Sequence, residues 1–145
     1  MQKKSFMVDT NVFIAAFKSG YTTTTKLLQK LLSDPNVNLV VDDILLKEYE
    51  KWFETLALKI PEIKEQAELL FSIIKAKAKL QIPDRESIER VKPYMPEGEL
   101  ADIYHAATCL KTNSILITND KDFQDLQKAG IIKIWSISDA IKEIL

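Results

Sequence analysis

Short apolar runs alternate with longer stretches of helical periodicity along the whole chain. The apolar runs predict five strands, at residues 5–8, 38–41, 80–82, 114–118 and 131–137. The other stretches predict helices at residues 10–18, 44–58, 62–79, 99–112 and 121–129. A further helix is expected to begin within residues 22–25 and to end at residue 32, a short one to lie within residues 84–98, and a last one to be capped by Ser138. Because strands that alternate with helices form parallel sheets with helices on both faces, the pattern predicts a three-layer α/β/α fold.

Composition narrows the class of protein. With 145 residues, 46% of them hydrophobic, we expect one domain over residues 1–145 with a single core. The lone Cys109 excludes a disulfide framework, the lone His105 excludes a two-histidine metal motif, and three glycines exclude glycine-rich nucleotide loops. No apolar run could span a membrane, and the N-terminus lacks the apolar core of a signal peptide. We therefore expect a cytoplasmic protein without a membrane partner.

Acidic residues follow two of the most apolar predicted strands. Asp9 comes directly after the first strand, and Asp120 follows the strand at 114–118. Ligands of open α/β sheets bind at the carboxyl ends of strands, where the strand order reverses. If these two strands are neighbours, both carboxylates converge on one crevice.

Helical positions add further carboxylates. Glu48 lies at the edge of the apolar stripe of the helix at 44–58, whereas Glu99 lies within the stripe of the helix at 99–112 and Asp102 on its edge. Grouped carboxylates repel one another, and hard divalent cations with oxygen ligands relieve that repulsion. Such a cation activates water and stabilises charge on a phosphoryl group, so the pattern predicts metal-dependent hydrolysis of a phosphodiester.

Each of these residues also has a simpler structural explanation. Asp9, Asp120 and Asp122 precede or begin helices, where aspartate is common as a cap. Glu48 has Lys47 and Lys51 as neighbours for an ion pair, and Glu99 in a first turn favours the helix dipole. His105 and Cys109 are interpreted as packed residues of their helix. The combination of four acids favours a site over these separate explanations.

Four segments together resemble the PIN-domain ribonucleases. Residues 9–13 (DTNVF) resemble the opening motif of that family, and Glu48 within LLKEY resembles its helical glutamate. Residues 102–108 (DIYHAAT) resemble the D-x-x-x-A-A-T helix, and residues 117–123 (ITNDKDF) resemble the T-N-D-x-D-F motif. The order and approximate spacing match from residue 6 to about residue 137. The segment at 61–94 matches none of these motifs.

The resemblance implies a five-stranded parallel sheet in the order 3-2-1-4-5 and Mg²⁺- or Mn²⁺-dependent cleavage of single-stranded or structured RNA. It also implies that the metal is held by Asp9, Glu48, Asp102 and Asp120. Asn11 and Thr118 would support that site by hydrogen bonding, and we expect Glu99 to orient a water there. A single-domain member of this size is similar to the toxin of a VapC-type toxin–antitoxin pair, which implies a homodimer silenced by a cognate antitoxin.

A net charge of −1 provides no overall attraction to nucleic acid, so an RNA partner requires a local basic patch. We expect Lys121 to contact the RNA backbone, together with Lys18 and Lys26, which flank the loop at Tyr21 and Thr22. Other functions stay open at this point: a PIN-like module that binds RNA or protein without cleavage, or an RNA-processing nuclease that is not a toxin. A phosphotransferase of the haloacid dehalogenase type is disfavoured, because that chemistry usually has aspartate where this chain has Asn11.

Overall fold

The computed structural model describes residues 3–18 and 22–145, and the predicted loop residue Tyr21 lies outside them. Five parallel strands form one sheet in the order β3-β2-β1-β4-β5, which confirms the predicted order. The strands are β1 (Lys4–Val8), β2 (Val37–Val41), β3 (Ala78–Leu80), β4 (Ile115–Ile117) and β5 (Ile134–Trp135).

Helices flank the sheet and confirm the α/β/α fold. In the described part of the chain they are α1 (Thr10–Lys18), α2 (Thr23–Ser33), α3 (Asp43–Lys59), α4 (Lys64–Lys77), α5 (Arg85–Val91), α6 (Leu100–Thr112), α7 (Gln124–Lys128) and α8 (Ile137–Ile144). Short 3₁₀ turns cover Pro61–Ile63, Lys92–Tyr94 and Lys121–Phe123. None of the described helices has the length and apolar character needed to cross a membrane.

The register of the central strands brings two strand ends together. β1 pairs with β2 on one side and with β4 on the other, and Val8 lies opposite Ile117. The backbone N–H of Asp9 continues this pairing by donating to the carbonyl of Ile117 at 3.0 Å. The residues that follow β1 and β4 therefore lie side by side at the carboxyl edge of the sheet, where the strand order reverses.

Aromatic side chains fix α3 against α1 and α4. Tyr49 and Phe53 are buried, and each packs edge-on against Phe13 with ring centroids 5.0 and 6.0 Å apart. The hydroxyl of Tyr49 donates to the backbone carbonyl of Val8, the last residue of β1. This contact ties α3 to the end of β1, so Glu48, next to Tyr49, also lies near that edge.

Two strand predictions are wrong in their bounds. The strand predicted at 80–82 is Ala78–Leu80, because pairing with β2 selects it and an edge strand needs few buried side chains. Leu80 and Ile82, whose apolar character suggested the later position, are 53% and 52% exposed. The strand predicted at 131–137 shortens to Ile134–Trp135, the two residues that pair with β4.

Several helix bounds also differ from the prediction. The helix predicted at 62–79 starts as a 3₁₀ turn and ends at Lys77, and the one predicted at 121–129 divides into a 3₁₀ turn and α7. The cap of α8 is Ser136 rather than Ser138, because Ser136 and Asp139 exchange two hydrogen bonds in a capping box. Helical periodicity places Leu100 on the apolar stripe of α6 together with Ile103, but Leu100 is 73% exposed, because the buried face of that helix begins at Ile103.

Candidate metal centre

Asp9 lies at the centre of the carboxyl edge, with 9% of its surface exposed. Its carboxylate accepts hydrogen bonds from Thr10 N at 2.8 Å, Asn11 Nδ2 at 3.2 Å and Thr118 Oγ1 at 2.7 Å. Burial raises the pKa of Asp9 above its ordinary 3.8, although the hydrogen bonds and the charge of His105 lower it in part. The strand end thus holds a carboxylate whose position is set by three donors.

Hydrogen bonds join the ends of β1 and β4. Asn11 Nδ2 also donates to Thr118 Oγ1 at 3.2 Å, and that hydroxyl accepts from the backbone N–H of Asp120 at 3.0 Å. Asp120 in turn caps the 3₁₀ turn that follows, because its Oδ1 accepts from Asp122 N at 2.9 Å. Asn11 and Thr118 therefore lie between the two strand-end acids and contact Asp9 directly.

Glu48 approaches the same edge from α3. Its Oε2 accepts from Thr10 Oγ1 at 3.3 Å, and its Oε1 lies 3.3 Å from His105 Nε2. The charge of Glu48 contributes to the raised pKa of Asp9, which reflects their proximity. The hydrogen bonds of the Glu48 carboxylate thus come from Thr10 and His105, whereas the sequence suggested a pair with Lys47 or Lys51.

Asp102 is the most strongly perturbed acid of this group. Burial, followed by the charges of Asp9 and Asp120, raises its pKa from 3.8 to about 7. The charge of His105 lowers that pKa in part, and the charge of Glu99 raises it. The structure therefore brings Asp9, Asp102 and Asp120 close enough for their charges to interact.

Asp122 is an acid whose position sequence reasoning missed. Single carboxylate oxygens of Glu99, Asp102 and Asp122 all lie within 4.8 Å of one another. Glu99 precedes α6 and is exposed, so it reaches this group from the surface, contrary to the expected inward position. From the sequence, Asp122 is interpreted as a cap or first-turn residue. Its position two residues after Asp120, in the turn capped by that residue, is the feature that could have indicated its place in the acidic group.

The lysines expected at the RNA backbone are exposed. Lys121 lies in the 3₁₀ turn directly after Asp120. Lys18 ends α1 and Lys26 lies in α2, on either side of residues 19–21. Of the three, Lys121 is the one placed in sequence and structure beside an acid of the group.

His105 is buried, as expected for a packed helix residue, and it also has two acidic partners. Its Nδ1 lies 2.7 Å from Oδ2 of Asp42, and its Nε2 faces Glu48. Burial alone would lower the pKa of His105, but hydrogen bonds and charges from Asp42 and Glu48 outweigh it and raise the pKa to about 10. Cys109 is a buried core residue, as interpreted, with its Sγ 3.6 Å from the sulfur of Met7.

The donor set at this edge suits a hard divalent cation. The acidic side chains at this edge offer carboxylate oxygens as ligands, and Mg²⁺ and Mn²⁺ prefer oxygen ligands over nitrogen and sulfur. Burial, followed by the charges of neighbouring acids, raises the pKa values of Asp9 and Asp102, and a bound cation would offset this cost of keeping both carboxylates ionised. The residues present therefore fit a divalent metal.

Comparison with known proteins supports this interpretation of the fold. The family described as PIN domain matches residues 6–129. No curated protein sequence matches significantly. The fold is similar to that of VapBC-1 from nontypeable Haemophilus influenzae, with TM-score 0.61 and 22% identity over 92% of this chain and 98% of that chain.

Two further solved structures have the same fold. VapBC2 from Rickettsia felis, bound to a DNA fragment from its promoter, has TM-score 0.63 and 15% identity over 91% of this chain and 98% of that chain. FitAB bound to the IR36 DNA fragment has TM-score 0.62 and 20% identity over 91% of this chain and 94% of that chain. The family match covers most of the chain and agrees with the observed strand order. The chain therefore belongs to the PIN domain family, a family of nucleases.

Proposed function

We propose that this protein is a Mg²⁺- or Mn²⁺-dependent endoribonuclease that hydrolyses phosphodiester bonds of single-stranded RNA in the cytoplasm. The observation that carries the proposal is the grouping of acids at one edge of the sheet: Asp9 and Asp120 follow two adjacent strands, and Asp102 lies with Glu99 and Asp122 within 4.8 Å. Structural acids are normally dispersed or paired with cations, because repulsion among close carboxylates costs free energy. Their concentration in a PIN domain is typical of a metal site for phosphate chemistry.

Asp9, Glu48, Asp102 and Asp120 are the residues that would hold the cation. A bound divalent metal supplies an activated water and stabilises negative charge on the phosphoryl group. Asn11 and Thr118 orient the Asp9 carboxylate through the hydrogen bonds described above.

Glu99 and Asp122 extend the acidic group beyond these four ligands. Each offers an oxygen within 4.8 Å of one on Asp102. Because the Glu99 carboxylate is exposed, it is better placed to orient a water at the metal than to bind the metal directly. Its contribution is therefore that of an outer partner, which typically changes metal affinity or activity 10–100-fold.

The substrate backbone needs positive charge near the acids. Lys121 is exposed in the turn after Asp120, and Lys18 and Lys26 are exposed on α1 and α2. We include all three as contacts to RNA phosphates. Because net charge is near zero, local contacts of this kind must provide the electrostatic part of the affinity.

Cleavage of a labelled single-stranded RNA tests this function. Wild-type protein with Mg²⁺ or Mn²⁺ is expected to cut internally, and a chelator should stop the reaction. Asp9→Asn should abolish cleavage, whereas the matched control Glu50→Gln, exposed on the same helix as Glu48, should leave it unchanged. RNA binding without any cleavage under these conditions would instead identify a non-catalytic binding module, and hydrolysis confined to small phosphate esters would identify a phosphatase.

We further propose that the chain is the toxin of a toxin–antitoxin pair and acts as a homodimer. The support is the resemblance of its motifs to those of VapC-type toxins, together with the similarity of its fold to VapBC-1, VapBC2 and FitAB. Expression of the chain alone should arrest growth, and co-expression of the neighbouring small reading frame should restore it. Arrest by Asp9→Asn equal to that by wild type would contradict a toxin that acts through cleavage.

A further inference from the structure

The ring of His105 lies between two carboxylates that come from different elements. This residue is the single histidine of the chain, it belongs to α6, and 2% of its surface is exposed. Nδ1 lies 2.7 Å from Asp42 Oδ2, and Nε2 lies 3.3 Å from Glu48 Oε1. Each ring nitrogen therefore lies within hydrogen-bond distance of one carboxylate oxygen.

Asp42 fixes the ring from the inner side. It follows β2, has no exposed surface, and caps α3 by accepting from Leu45 N at 2.7 Å through Oδ1. Its other oxygen lies 2.7 Å from His105 Nδ1 and, at 3.5 Å, accepts from the hydroxyl of Thr108. Asp42 cannot turn without breaking the helix cap, so the orientation of the imidazole is set by the backbone of α3 and β2.

Glu48 is the partly exposed end of this chain of contacts. Its side chain has 36% of its surface exposed, and one carboxylate oxygen faces His105 while the other accepts from Thr10. Ordering a free glutamate side chain costs up to about 2 kcal/mol of conformational entropy. If the side chain becomes ordered only when the metal binds, this cost weakens metal binding. The contacts with Thr10 and His105 already hold the carboxylate near Asp9 and so remove part of that cost.

We propose that His105 is a positioning residue that, anchored by Asp42, holds the Glu48 carboxylate in the orientation in which it binds a divalent cation. The inference rests on the proposed function, because it takes Glu48 to be a metal ligand. Partners of this kind typically contribute 10–100-fold to metal affinity. A histidine that only joined α6 to β2 through Asp42 would stabilise the fold without any link to Glu48.

Mn²⁺ affinity in a double-mutant cycle separates these roles. His105→Asn places an amide near the position of Nδ1, which keeps a partner for buried Asp42, but it no longer reaches Glu48. We expect it to weaken Mn²⁺ binding 10–100-fold in the wild-type background and by less than about twofold in Glu48→Ala. His105→Gln, whose amide reaches further, should recover part of the loss. Equal loss in both backgrounds, or no loss in either, would overturn the role of His105.

A second measurement needs no change at His105. The single histidine makes its ring ¹⁵N signals unambiguous, so Mg²⁺ can be titrated into labelled wild-type protein. The Nε2 signal should shift with Mg²⁺ in wild type and stay unchanged in Glu48→Ala. The proposal is contradicted if wild-type protein binds Mg²⁺ without a change in the Nε2 signal. It is also contradicted if the Nε2 signal shifts equally in Glu48→Ala. Wild-type protein that binds neither cation would refute the proposed metal-dependent function itself, and with it this inference.

Discussion

Replacing Asp102 with asparagine should stabilise the metal-free protein. The substitution keeps the shape of the side chain and removes one charge from a group in which Asp9 and Asp120 raise the pKa of Asp102, after burial, to about 7. The difference between 3.8 and about 7 corresponds to about 4 kcal/mol in favour of the uncharged form. Asp102 is only half-buried, and screening by solvent reduces the expected gain to about 2 kcal/mol.

The gain should depend on pH in a defined direction. Between about pH 4 and pH 7 the folded protein keeps a proton on Asp102 that the unfolded chain has released, so wild-type stability falls as the pH rises through that window. Asparagine does not titrate, so the advantage of Asp102→Asn should be small at pH 4 and reach its full size near pH 8. For a chain of this length, about 2 kcal/mol corresponds to roughly 4–8 °C in Tm.

Thermal and urea unfolding with a chelator, from pH 4 to pH 8, measure this difference. Asp125→Asn is the matched control, because Asp125 is exposed in the first turn of α7 and outside the acidic group. Added Mg²⁺ should stabilise wild type more than Asp102→Asn, since a ligand stabilises the state that binds it. A variant that is less stable than wild type at every pH would refute the reasoning, because Asp102 would then stabilise the fold through its charge.

Three other changes test separate parts of the structure. Lys121→Ala should flatten the dependence of log RNA affinity on log salt by about 0.7, the value for one phosphate contact to a single strand, and an unchanged slope would make Lys121 a surface charge only. Glu99→Gln should leave weak cleavage that excess Mn²⁺ partly restores, and wild-type activity at limiting metal would exclude Glu99 from the site. Tyr49→Phe should cost about 1–2 kcal/mol in urea unfolding, because the buried carbonyl of Val8 loses a donor; unchanged stability would show that this contact contributes nothing.

Much of the architecture follows from local patterns in the sequence. Alternation of apolar runs with helical periodicity predicts the α/β class and the existence of all five strands, because burial on both faces selects apolar residues in the central strands. Asp9 and Asp120 follow β1 and β4 closely in sequence, so the carboxyl edge could be proposed as a site without coordinates. The strand order came from the resemblance to PIN-domain ribonucleases, and the structure confirms it.

Boundaries at the edges of the fold depend on pairing partners. β3 begins at Ala78 because β2 offers hydrogen bonds there, and the more apolar positions Leu80 and Ile82 are largely exposed. Leu100 is likewise exposed although it falls on the apolar stripe of α6. Periodicity describes which side chains could be buried together, but whether a neighbour covers them depends on elements distant in sequence.

The acidic group likewise contains residues that the sequence predicts and residues that only the tertiary structure brings into place. The metal ligands remain a prediction, yet the positions of Asp9, Glu48, Asp102 and Asp120 were all proposed from sequence, since each stands at a strand end or at a distinctive helical position. Asp122 and the contact of His105 with Asp42 and Glu48 were not found in this way. Asp42 and Glu48 lie 63 and 57 residues from His105 in the chain, and no local pattern encodes contacts over such distances. Asp122 lies only two residues after Asp120, but its approach to Asp102 and Glu99 depends on the tertiary fold. Sequence specifies which chemical groups are available, whereas tertiary packing sets which of them meet and how far burial shifts their charges.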